Sequence, residues 1–259
     1  MTEKYTNRPF APTHTVVFGQ PLPLSVPYFN DDAPYSAYSN NDLAFVAQPM
    51  GSPQNNEDRN VTPVPLIMTD EWNIIRDSPD IIDSLRNTEK KHDFMFIGQC
   101  GYAGREVFRT LNLDNYRFEE TEPVYGLQGE EKTKTLIKFL EATAESRFVF
   151  APRGIGSSSF RAYQSLMVGS VPIITGMNDY PFKDVIDWDT FCLSGSLEDL
   201  PKLIKQASTI DYDSFVEVGK QFWDDYCHPE RLHSKLSAIA IEDHFLTNHR
   251  DNLWGLGAD

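Results

Sequence analysis

A doubly wound α/β fold, with a parallel sheet covered by helices on both faces, is what the 259-residue chain predicts, and three observations carry that reading. From residue 94 onward, short apolar runs alternate with longer segments of helical period. Gly, Pro, Asn and Asp separate these segments, as expected where strands and helices end in loops. Between one apolar run and the helix after it lies Arg153-Gly154-Ile155-Gly156-Ser157-Ser158-Ser159. Two glycines, an arginine and three serines in that place describe a loop that cradles an anion at a helix N-terminus.

Taken in chain order, residues 1–66 are rich in Pro, Asn, Tyr and Asp and carry two short apolar runs, 16–18 and 43–46, while 51–60 reads as exposed loop. Residues 64–68, VPLIM, read as a strand ending at Thr69 and Asp70, and Trp72, Ile74 and Ile75 as the apolar side of a short helix. The charged run 86–91 marks a boundary. Beyond it, 94–97 is expected as a strand and 105–111 as a helix. A longer helix at 130–144 turns Leu136, Ile137, Phe139 and Leu140 inward, and a strand follows at 147–151. The helix at about 158–168 is closed by Gly169 at the position after the cap. Strands are expected at 171–174 and 191–193, then helices at 196–206, 213–226 and 230–247, with Pro201 in a first turn and Pro229 at a helix start. Ligands of such sheets bind at the carboxyl ends of the strands, which is where Arg153 and Gly154 would stand.

Composition narrows the function. Lys and Arg total 23 against 38 Asp and Glu, a formal charge of −15, which repels a nucleic-acid backbone and leaves room for a small phosphorylated ligand held by a few local arginines. Cys100, Cys192 and Cys227 are an odd number without a C-x-x-C pair, so neither a disulfide framework nor a zinc cage is indicated. MTEKYTNRPF has no apolar leader, and no segment reaches the roughly 18 apolar residues that span a bilayer. A cytoplasmic location without a membrane span is therefore expected.

A phosphate at the glycine–serine loop would be stabilised by the helix N-terminus, by free backbone N–H groups and by Arg153 or Arg161. The surrounding run PRGIGSSSFRAYQSLMVGSVPIITGMNDYPFKDVIDW resembles the C-terminal signature of the exostosin-like glycosyltransferases, glycosyltransferase family 47. The preceding HDFMFIGQCGYAGRE is similar to that family's strand and loop in which an Arg follows F-x-G. The resemblance implies a GT-B fold, two Rossmann-like halves facing a cleft, here with a reduced N-terminal half. It divides the chain into residues 1–88 on the acceptor side, 89–228 as the nucleotide-sugar domain, and a C-terminal helix within 229–259 that crosses back to the first half.

The same resemblance implies inverting transfer of a sugar such as xylose or galactose from a nucleotide diphosphate donor, in this family most often a UDP-sugar, to a hydroxyl of a glycan acceptor. No cofactor and no metal are implied, and the absence of an anchor suggests a soluble bacterial or viral enzyme. Arg153 and Arg161 would meet the diphosphate, with Gly154, Gly156, Ser158 and Ser159 supporting it, and Gln99 and Arg105 would reach the donor from the preceding loop. One departure concerns Gln164, which stands where the family has a glutamate that accepts from ribose hydroxyls; an amide keeps an acceptor oxygen but loses the anionic contact.

The acceptor hydroxyl also needs a base on the opposite wall. Asp70 and Glu71, at the end of the expected strand, are the first candidates, followed by Asp31 and Asp32 and then His14. Asp70 equally reads as a helix cap. Asp187-Trp188-Asp189 matches the D-x-D pattern of metal-dependent transferases, although its place fits the I-D-W element of the resemblance. Two other readings stay open: a nucleotide-binding module without turnover, and a metal-dependent transferase using Asp187 and Asp189.

Overall fold

In the computed structural model the described residues are 14–18, 20–26, 28–34, 43–50, 60–67, 69–122, 127–154, 156–178, 180–228, 231–232, 234–236 and 238. The N-terminal part holds an antiparallel pair, β1 (His14–Phe18) and β2 (Gln20–Val26), and a parallel three-stranded sheet of β3 (Tyr28–Pro34), β4 (Leu43–Met50) and β5 (Asn60–Pro63). The strand expected at 64–68 is displaced. Asn60–Pro63 forms the ladder, whereas Val64, Leu66 and Ile67 are buried outside any strand. Pro65 has no N–H to give to a ladder, and these apolar side chains serve the core instead. Helices α1 (Thr69–Asp77) and α2 (Ile81–Arg86) follow.

The five-stranded sheet contains β6 (His92–Gly98), β7 (Tyr116–Glu120), β8 (Ser146–Pro152), β9 (Val171–Thr175) and β10 (Leu193–Gly195), all parallel, in the spatial order β10-β9-β8-β6-β7. Counted within the sheet this is the order 2-1-3-4-5, in which the chain reverses direction between β6 and β8. Phe96, Phe148, Phe150, Val171, Ile173 and Leu193 enter one apolar cluster, with Leu200 and Leu203 of helix α5 (Leu200–Ala207). On the other face, Met95, Ile97 and Val149 pack with Ala142 of α3 (Gly129–Ala144), and Ala151 and Ile174 join a larger cluster with α4 (Phe160–Met167). Strand residues of alternate parity therefore point to opposite faces and both faces are covered, as expected of a doubly wound sheet.

Several elements lie off their expected positions. The helix at 105–111 is a six-residue 3-10 turn, Arg105–Thr110. The strand at 191–193 begins two residues later, after a 3-10 turn at Trp188–Thr190. Helix α5 starts at Leu200 instead of 196, because Asp199 accepts from Ser196 N–H and Oγ and holds a turn there. Helix α6 (Tyr212–Phe222) runs into a π-helical turn, Trp223–Cys227. Of the helix at 230–247 only 231–232, 234–236 and 238 are described, all helical, and Leu232 and Leu236 are buried in the cluster that includes Val64, Leu66 and Ile67.

Arg86 fastens α2 to the sheet half. It pairs with both oxygens of Asp224 at 3.0 and 2.8 Å and donates to the Met167 carbonyl at 2.9 Å, at the end of α4. Gly169, at φ 74°, ends that helix as expected: Gly169 N–H donates to Leu166 and Ser170 N–H to Ser165, a Schellman closure.

Candidate active site

The strand order reverses between β6 and β8, the place where sheets of this kind form a crevice beyond the carboxyl ends of the strands, and the glycine–serine loop follows β8 there. Arg153 N–H donates to Thr175 O at 2.9 Å, tying the end of β8 to β9, and Gly154 N–H donates to Ser158 O at 2.8 Å, folding the loop back on itself. The loop then delivers the chain to α4, with Ser159 as its extended N-cap residue. Neither Ser159 Oγ nor Ser157 Oγ caps the helix. Both hydroxyls are buried without a hydrogen-bond partner among the described residues, as is Thr175 Oγ1 at the end of β9. Buried hydroxyls are normally satisfied, and those of Ser157 and Ser159 adjoin the unpaired N–H groups of a helix N-terminus. Ser158 Oγ instead donates to Tyr163 OH at 3.5 Å.

Three arginines reach this region with different tasks. Arg161, in the first turn of α4, donates through Nε to Ile97 O at 2.9 Å, with its guanidinium carbon 5.6 Å from the Phe96 ring and 6.0 Å from that of Phe139. It thus crosses the crevice between β8 and β6. A Cβ on Gly98 would fall 2.9 Å from the Arg161 Cζ and nearer still to Nη2, so glycine is what admits this side chain. Arg153 is exposed, its aliphatic stem against Gly176. Arg105 is buried at 1% exposure and donates to Tyr102 OH and Arg153 O, both at 2.5 Å, and to Pro152 O at 3.2 Å, with Cζ 4.2 Å from the Tyr102 ring. Sequence reasoning expected Arg105 to touch the donor; in these bonds it clamps the strand end that carries Arg153. Gln99 is half-buried immediately after Gly98.

The base candidates on α1 also come to α4 and α3. Glu71 is 2% exposed and accepts from Gln164 Nε2 at 2.5 Å, while Asp70 pairs with Lys132 of α3 at 2.6 Å, each side chain 30% exposed. Both carboxylates lie in the first turn of α1, where its dipole favours them. Neither is the helix cap. Asp31 and Asp32 lie in β3 and His14 in β1, and their side chains fall outside the described residues.

Asp187 accepts from Asp189 N–H at 3.2 Å and Asp189 accepts from Ser194 Oγ at 3.3 Å, so the D-x-D element starts a 3-10 turn and ties it to β10. Among the described residues no group of three or more His, Cys, Asp or Glu is placed to hold a metal ion, and no helix is long and apolar enough to cross a membrane.

Two features of the site escaped sequence reasoning. The Glu71–Gln164 pair joins residues 93 positions apart, and the signal for it was the replacement of an expected glutamate at 164. The Arg161–Gly98 contact was signalled only by the glycine closing β6. With this geometry in place, comparison with known proteins is informative. The Exostosin GT47 domain matches residues 38–210. A protein of Arabidopsis thaliana named as a probable glycosyltransferase is 32% identical over 83 residues, covering 32% of this chain and 18% of its own length. The chain thus spans about a fifth of the curated relative it matches.

Proposed function

The chain belongs to the exostosin GT47 family, and on that premise we propose that it is a glycosyltransferase that moves a sugar such as xylose or galactose from a UDP-sugar to a hydroxyl of a glycan acceptor. One observation supports this most: the buried hydroxyls of Ser157 and Ser159, the N-terminus of α4, and Arg153 and Arg161 converge at the reversal point of the parallel sheet. As the glycosidic bond to the donor breaks, negative charge grows on the leaving diphosphate. Fixed donors in a closed cleft stabilise that charge, removing about 3–4 kcal/mol of barrier for each well-placed group. In this reading Arg153, Arg161 and the loop N–H groups hold the diphosphate, without a metal ion and with inversion at the sugar.

Of the two carboxylates on α1, Asp70 is the base, because it is partly exposed and can meet an acceptor hydroxyl, whereas Glu71 is enclosed. GT-B architecture would complete the cleft with residues 1–88 on the acceptor side, 89–228 on the donor side and 229–259 crossing back.

The test is UDP and GDP binding by thermal unfolding in excess EDTA, followed by UDP release from UDP-sugars. A ligand at 100 times its Kd raises stability by about 2.7 kcal/mol. Binding that survives EDTA and is weakened in Arg153→Ala and Arg161→Ala supports the reading. Binding that requires a divalent ion and is lost on Asp187→Asn would favour the metal-dependent alternative, and tight binding without turnover would favour a non-catalytic module.

A further inference from the structure

The amino ends of the central strands, opposite the glycine–serine loop, gather positive side chains in a chain whose formal charge is −15. Lys90 precedes β6, Arg147 is the second residue of β8, and Lys220 comes from α6. Tyr212, Val216 and Lys220 are spaced by four, so they share one face of α6. That face lies over the turn into β9: a Cβ at Gly169 would meet Lys220 Cδ at 3.6 Å and Val216 Cγ1 at 3.7 Å. Arg147 stands over the Tyr212 ring, Cζ 4.5 Å from its centroid, and Tyr212 OH donates to Arg147 O at 3.5 Å. Lys90 Nζ reaches the same turn, donating to Ser170 Oγ at 3.0 Å and Ala144 O at 2.8 Å. Ser170 Oγ in turn donates to Ser146 O at 2.8 Å, the residue before Arg147, so the short turn at Gly169 and Ser170 joins all three cations.

Their charges are poorly compensated. Arg147 Nε is buried without a hydrogen-bond partner, and among the described residues no carboxylate pairs with the guanidinium. Lys90 spends two of its three ammonium hydrogens on neutral oxygens. Lys220 has Glu217 at 2.7 Å, but that carboxylate side chain is 76% exposed, and so solvated a pair is weak enough to be exchanged. Burial, then Arg147 and Lys220, lower the Lys90 pKa to about 8, so the charges act on one another while Lys90 still holds its proton at pH 7. Arg86, beside the same glycine, differs in being neutralised by both oxygens of Asp224. We propose that Lys90, Arg147 and Lys220 form a binding site for a small tetrahedral oxyanion, phosphate or sulfate, at the amino ends of β8 and β9. The guanidinium supplies parallel donors for two oxygens and the ammonium groups add point charges. The oxyanion displaces Glu217 from Lys220, relieves the repulsion within the cluster and ties α6 to β8 and to the turn into β9. This site is separate from the donor site and does not depend on it.

The experiment uses the full chain carrying Arg153→Ala and Arg161→Ala, which removes the arginines of the glycine–serine loop from the measurement. Should that background not fold, Arg153→Ala alone takes its place. Inorganic phosphate is titrated calorimetrically at pH 7 in a constant excess of potassium chloride, so that screening stays fixed. Saturable binding of one phosphate per chain is expected. Lys220→Gln should weaken it about tenfold and Arg147→Gln about 10- to 100-fold. Glu217→Gln should tighten it about threefold, because the competing carboxylate is gone, a gain that a role in helix stability alone would not produce. Lys220 and Glu217 pair on the outside of α6, so these two variants decide if Arg147→Gln does not fold. Glucose 6-phosphate and glucose 6-sulfate, titrated in the same way, distinguish the source of the anion: tighter binding than inorganic phosphate identifies a phosphorylated or sulfated glycan, equal or weaker binding identifies the free ion, and either supports the site. An absence of saturable phosphate binding, or an affinity that either Lys220→Gln or Glu217→Gln leaves unchanged, overturns it.

Discussion

Gly98→Ala adds one methyl group at the end of β6, at a backbone φ of 157°, and should lower both stability and ligand affinity. The new Cβ would lie 2.9 Å from Arg161 Cζ and nearer still to Nη2, closer than real Cβ contacts come, so the guanidinium must move. Every atom it meets belongs to one flexible side chain, so the backbone and the sheet can stay in place while the guanidinium swings out. The structural cost is then the Arg161–Ile97 hydrogen bond, about 1 kcal/mol, together with the strain of an alanine at φ 157°, about 1–3 kcal/mol, with the β6 ladder intact. The functional cost comes in addition. A charge-assisted contact to a phosphate is worth about 1.5–3 kcal/mol, so UDP affinity should fall by about 10- to 100-fold. Denaturant unfolding and calorimetric titration of the same sample separate the two effects. A variant that keeps wild-type UDP affinity would refute the placement of Arg161 at the diphosphate. One that loses more than about 4 kcal/mol of stability would refute the claim that, of the groups the methyl meets, only the side chain must yield.

Other expectations follow from the same geometry. Arg153→Ala should weaken UDP binding about 10- to 100-fold while leaving the unfolding midpoint within about 0.5 kcal/mol of wild type, because the side chain is exposed; titration and thermal unfolding check both. Lys90 donates to Ala144 O at 2.8 Å and Ser170 Oγ at 3.0 Å, and burial, with Arg147 and Lys220 nearby, lowers its pKa from 10.5 to about 8. Between those values the unfolded chain holds the proton that the folded chain has released, so this group's contribution to stability should rise from about pH 8 to pH 10.5. Lys90→Met should abolish that rise in urea unfolding measured across the range. Gly169→Ala forces a side chain into the left-handed region at φ 74° and should cost about 1–2 kcal/mol, read from the urea midpoint. Phe150→Ala, at 0% exposure between Phe94 and Phe108, should cost about 3–5 kcal/mol by the same measurement.

The sheet half was legible in the sequence because β6, β8 and β9 are buried and their apolar runs are continuous. β7 was not, because YRFEE is a polar edge strand whose pattern of burial is weak and whose Phe118 is partly exposed. The early strands were missed for a different reason: Gln20–Val26 and Asn60–Pro63 carry prolines, asparagine and threonine, residues that locally favour loops, and tertiary pairing overrode them. At the candidate site, the grouping of Arg153, Gly154, Ser159 and Arg161 around one helix start was legible because they are close in sequence. The contacts of Arg105 and Glu71 were not. Each depends on a contact with a residue 47 or more positions away, and a charged residue in a short motif looks the same whether it faces a ligand or a backbone carbonyl.

Arg86 bears on how the chain can be divided. Its guanidinium belongs to α2, yet its partners are the end of α4 and the start of the π-helical turn, and the apolar side chains of α1 and α2 share one cluster with Leu166, Phe222 and Trp223. A fragment beginning at residue 89 would leave Asp224 without its cation and expose the apolar surface that Ile74, Ile75, Ile82 and Leu85 now cover. The charged stretch that marks a boundary in the sequence therefore begins at a half-buried anchor, and a protease cutting there should release fragments that aggregate instead of a stable sheet domain.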